Sequence, residues 1–77
     1  MPISRDLADA LIEVVRDFLV AEERSVRWLA IEIGVAQQTL DRQLKGRGDI
    51  TIDEWAAIAD AMGTTIAELT AKGATRL

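Results

Sequence analysis

Apolar side chains recur along this chain at helical spacing, and no segment alternates apolar and polar long enough to read as a strand. Leu7, Leu11, Val14 and Phe18 keep the rhythm of one helix face, and Ile12, Val15 and Leu19 form a second stripe beside it. They predict a first helix from Ser4 or Arg5 to about Glu22, with Ser4 as N-cap and Asp6 favoured in the first turn by the helix dipole. So wide a face is either buried within the chain or partly given to a partner. Val26, Leu29, Ala30 and Ile33 predict a second helix, Val26 to Ile33, capped by Ser25 and closed by a left-handed Gly34. A third helix is expected from Gln37 to Lys45, with Gly46 as its stop.

The third helix is the odd one. Leu40 and Leu44, one turn apart, are its apolar residues; Gln37, Gln38, Thr39, Asp41, Arg42, Gln43 and Lys45 are polar. Folding alone gives little reason for a helix that buries so narrow a stripe. Arg47-Gly48-Asp49 reads as a turn. Thr51 and Glu54 then form a capping box ahead of Trp55, Ile58, Ala59 and Met62, with Gly63 ending the fourth helix. Thr65 and Glu68 repeat that grammar for a fifth helix, in which Ile66 and Leu69 point inward. Gly73 is expected to end it, leaving a frayed tail to Leu77. The prediction is an all-α, five-helix single domain over residues 1–77.

Composition narrows the chemistry. A 77-residue chain has a thin stability margin, and 49% apolar residues still permit a compact core. Cysteine and histidine are absent, which removes disulfides, zinc fingers and Ser-His or Cys-His catalysis. Asp49, Asp53 and Glu54 suit turn and cap duties better than a metal site. No apolar run reaches the roughly 20 residues of a membrane span, and the N-terminal pattern is not that of a signal peptide. The expectation is a cytoplasmic protein without metal, cofactor or small-molecule ligand.

The net charge of −4 argues at first against nucleic acid. Its distribution reverses that argument. Residues 24–48 carry five basic side chains (Arg24, Arg27, Arg42, Lys45, Arg47) against two acidic ones, Glu32 and Asp41, for a local +3. Residues 1–23 sum to −4 and residues 49–77 to −3. A local basic face is what phosphate binding needs.

The segment from Ser25 to Asp49 carries the functional signal. Two helices of about eight residues, joined by Gly34-Val35-Ala36, have the form of a helix-turn-helix, here at about residues 25–45. Gly34 permits the sharp exit, Val35 fills the angle between the helices, and small Ala30 lets the third helix approach the second. Leu40 and Leu44 then anchor the third helix so that its other side is held outward, as a groove reader must be.

The run Trp28-Leu29-Ala30-Ile31-Glu32-Ile33-Gly34-Val35-Ala36-Gln37-Gln38-Thr39-Leu40 resembles the core pattern of the Cro/phage-repressor (Xre-type) family. Ile52 to Gly63 and Thr65 to Leu69 resemble that family's fourth and fifth helices, so the likeness spans roughly residues 24–70. Val26 stands where the family often has a glutamine, and Ala36 cannot cap through its side chain as Ser or Thr would. The resemblance implies base contacts from Gln37, Gln38, Thr39 and Arg42. A glutamine amide matches adenine N6 and N7, and an arginine fork matches guanine O6 and N7. It implies phosphate contacts from Ser25, Arg27, Lys45 and Arg47.

The expectation is a sequence-specific transcriptional regulator that occupies a double-stranded operator, phage Cro-like, and acts at the bacterial nucleoid or in a phage-infected cell. One recognition helix reads too few base pairs, so a homodimer is expected. Its surface is placed on Ile66, Leu69 and Leu77, with the second stripe of the first helix as rival. A second reading is a protein-interaction module, antitoxin-like or anti-repressor, whose acidic flanks meet another protein. An enzyme is disfavoured by the missing side chains and the lack of a glycine-rich phosphate loop.

Overall fold

The computed structural model describes residues 4–77, and within them all regular structure is helical. The helices are α1 (Arg5–Ala21), α2 (Val26–Ile33), α3 (Gln37–Leu44), α4 (Ile52–Ala61) and α5 (Ile66–Ala74). Four of the five starts are fixed by hydroxyl caps. Ser4, Ser25, Thr51 and Thr65 each accept the backbone N–H three residues on, at 3.0–3.2 Å. Ala36, at the start of α3, makes no such bond.

α1 packs chiefly on α5, α2 packs on α3 and α4, and α4 also meets α5. Leu11, Val14, Val15 and Leu19 of α1 share one core with Leu29, Leu40, Leu44, Trp55, Ile58 and Leu69. Both apolar stripes of α1 are therefore spent inside the chain. Val15 is fully buried and Leu19 nearly so, which removes the second stripe as a dimer surface. The same holds for Leu69, which is fully buried and cannot reach a second copy. Ile66 is half-buried against the core, while Leu77 is exposed.

The C-terminal end departs from expectation in two ways. Gly73 does not end α5; it lies inside the helix and is buried. A β-carbon there would stand 2.6 Å from Leu11 Cδ2 and 3.1 Å from Leu11 Cγ, so α5 approaches α1 closely at Gly73. The tail is also tied down. The Arg76 guanidinium lies 2.8 Å from Asp17 and 3.5 Å from Glu13, both on α1.

α1 ends in a reversal at Glu22-Glu23, a pair poorly matched to a helix dipole and with no structural explanation. Glu23 takes a left-handed conformation at φ 53°, and the Arg24 N–H reaches back to the Leu19 carbonyl at 2.8 Å. That is the reversal with which many helices close, here on a residue other than glycine. At the end of α2, Gly34 takes the left-handed φ of 76° expected of it, and both its N–H and that of Val35 bond to the Ala30 carbonyl.

Candidate nucleic-acid interface

α3 turns one side to the core and the other to solvent. Leu40 is fully buried and Leu44 nearly so. Gln43 completes the inner side. It is 7% exposed, which corrects its place among the outward polar residues. Its Nε2 donates to the Asp49 carbonyl at 3.1 Å and to Glu54 Oε1 at 3.3 Å. One amide thus joins α3, the loop after it and the first turn of α4. That polar residue takes the third inward position of α3, so the hydrophobic pattern shows two anchors where the helix has three.

A second tether comes from α1. Arg16 donates from Nη1 to the Leu44 carbonyl at 2.7 Å, at the C-terminal end of α3. A cation there satisfies an orphan carbonyl and complements the negative end of the helix dipole. The contact spans 28 residues of sequence, and nothing local in the chain announces it.

The opposite side of α3 carries the expected base-contact residues. Gln37, Gln38 and Arg42 are exposed and Thr39 is half-buried. With 3.6 residues per turn, Gln38, Arg42 and Lys45 share the outward face, and Gln37 and Thr39 stand on its two flanks. Gln38, Thr39, Asp41 and Arg42 line a shallow surface depression. Asp41 forms no ion pair with Lys45; the ion pairs among the described residues are those of Arg76. Exposed Gln38 and Arg42 and half-buried Asp41 have no side-chain partners among the described residues.

The residues expected at phosphate lie just past α3 and at the start of α2. Lys45 and Arg47 are exposed, just past α3. Ser25 and Arg27 are exposed at the start of α2, where the Ser25 hydroxyl already accepts the Trp28 N–H. Arg24 and Trp28 join this end of the site. The Arg24 guanidinium carbon stands 4.8 Å from the centre of the Trp28 ring.

These residues define a class: an all-α, five-helix domain in which α2 and α3 form a helix-turn-helix. Among solved structures, the chain is similar to the clp gene regulator ClgR from Corynebacterium glutamicum. One crystal structure of that regulator matches with a TM-score of 0.81 and 24% identity, covering 91% of this chain and 74% of that one. Another matches with a TM-score of 0.79 and 23% identity, covering 100% of this chain and 96% of that one. At that identity the likeness is one of fold. No protein-family model matches the chain, and no curated relative does.

Proposed function

We propose that this chain is a sequence-specific DNA-binding transcriptional regulator that lays α3 in the major groove of a duplex operator. The observation that carries the reading is the outward face of α3. It presents Gln38 and Arg42 unpaired, on a helix pinned from behind by Leu40, Gln43 and Leu44. A polar face held that firmly and left unused by the fold suits base edges, which reward a donor-acceptor pattern fixed in space. The exposed Lys45 and Arg47 just past α3, and Ser25 and Arg27 at the start of α2, suit phosphates beside the groove. Similarity of fold to ClgR, a clp gene regulator, is consistent with this reading.

In this reading Gln37, Gln38, Thr39 and Arg42 carry base contacts, and the protein acts by occupancy in the manner of a phage Cro repressor, without catalysis. It binds as a homodimer across half-sites about one helical turn apart. Leu77, exposed at the chain end, is the residue of the expected dimer surface best placed to meet a second copy.

Binding to mixed-sequence duplex DNA across a salt series tests the proposal. Phosphate contacts make affinity fall steeply with salt, by close to one logarithmic unit per contact for each tenfold rise. Gln38→Ala and Arg42→Ala should alter the sequences selected from a random pool, whereas Lys45→Ala and Arg47→Ala should weaken binding to all sequences alike. Absent or salt-insensitive binding would overturn the proposal and favour a protein partner for this face.

A further inference from the structure

The geometry points to Arg24 as a further phosphate-contacting residue, preset for that contact by Trp28. This rests on the DNA-binding reading and adds to it a residue that the helix-turn-helix pattern does not supply.

Arg24 is held from both ends. Its backbone N–H is bonded to the Leu19 carbonyl through the reversal at Glu23, which sets where the side chain leaves the chain. Its guanidinium lies over Trp28 at 4.8 Å. Trp28 in turn is half-buried against the core, and its backbone N–H donates to the Ser25 hydroxyl. An exposed arginine is ordinarily free to sample many rotamers; this one rests on a platform fixed to the first turn of α2.

The charge is also unspent. Glu22 and Glu23 precede Arg24 in the chain, yet neither carboxylate comes within ion-pair distance of it. The guanidinium rests over the ring by cation–π attraction, and no hydrogen bond or ion pair among the described residues takes up its N–H donors, a combination a lysine ammonium would match less well. The contact with Trp28 thus costs Arg24 none of its capacity for phosphate. Arg24 sits next to Ser25, so its donors flank the same end of α2 as the Ser25 hydroxyl and Arg27. A preset donor loses less side-chain entropy when a phosphate arrives.

The test compares wild type, Arg24→Ala, Arg24→Lys and Trp28→Leu on one mixed-sequence duplex of about two helical turns across a salt series. Circular dichroism confirms that each variant is folded, and Arg24→Gln replaces Arg24→Ala if the latter is not. Arg24→Ala should reduce the salt slope by about 0.9 and weaken binding roughly fivefold to tenfold at low salt. Arg24→Lys and Trp28→Leu should keep the wild-type slope but bind about twofold to fivefold more weakly, because the charge stays and its presetting is lost. An Arg24→Ala slope equal to that of a salt-sensitive wild type would overturn this inference alone and make the stack a purely structural clamp. A wild type that does not bind the duplex would overturn the DNA-binding reading and this inference together.

Discussion

Gly73→Ala sets two effects against each other, and the structure decides which wins. Alanine is the better helix former by up to about 1 kcal/mol, and less so near a helix end. Gly73 has no left-handed φ, so its backbone would accept alanine without strain. The obstacle is α1. The new methyl would stand 2.6 Å from Leu11 Cδ2 and 3.1 Å from Leu11 Cγ. Leu11 is 1% exposed and packed among core residues, so it has little room to retreat. Overpacking of this kind costs about 1–3 kcal/mol, and the net expectation is a loss of about 1 kcal/mol. For a domain of this size that lowers Tm by roughly 4–8 °C in a thermal melt followed by circular dichroism. In a Leu11→Val background the nearest methyl is gone, and the penalty should shrink by at least about 0.5 kcal/mol, a coupling that a double-mutant cycle reads directly. A Gly73→Ala variant that melts several degrees above wild type would refute the close approach of α5 to α1.

Three other variants probe the frame around α3. Gly34→Ala meets no steric obstacle, but it forces a β-carbon into a left-handed turn and should cost about 1–2 kcal/mol in urea denaturation. Arg16→Met keeps most of the apolar stem and removes the bond to the Leu44 carbonyl; the cost, reduced by the exposure of Arg16, should be about 1 kcal/mol, with faster amide exchange at Lys45 and Gly46. Glu23→Gly should instead stabilise by up to about 1 kcal/mol in the same assay, because relief of the left-handed strain and removal of an anion from a helix C-terminus outweigh the added freedom of the unfolded chain.

The order and type of the helices were legible because most of their boundaries are written in local chemistry, α3 starting on an uncapped Ala36. Ser4, Ser25, Thr51 and Thr65 cap the helices expected of them, and Gly34 closes α2 as its position implied. What escaped the sequence depends on distant contacts. Gly73 looks like a stop signal, and only the neighbouring Leu11 shows why a helix keeps a glycine there. Gln43 looks like a surface residue until Asp49 and Glu54 are seen to engage its amide. Leu69 has the same character whether it faces the core or a second copy, and its burial follows from where α1 and α4 lie. Within the candidate site, exposure of Gln37, Gln38 and Arg42 could be read from the two-leucine stripe. The Arg16 tether could not, since it joins residues 28 apart; the Arg24–Trp28 contact joins residues only four apart, but depends on the left-handed Glu23 that sets how Arg24 leaves the chain.

In the proposed function the outer side of α3 meets a duplex groove. Backbone amide chemical shifts, followed while a duplex selected from a random pool is titrated in, test it most directly. The expected footprint covers Gln37, Gln38, Thr39 and Arg42, flanked by changes at Ser25, Arg27, Lys45 and Arg47, with the exposed side of α4 undisturbed. A footprint centred on α4, or saturation with no change along α3, would contradict it.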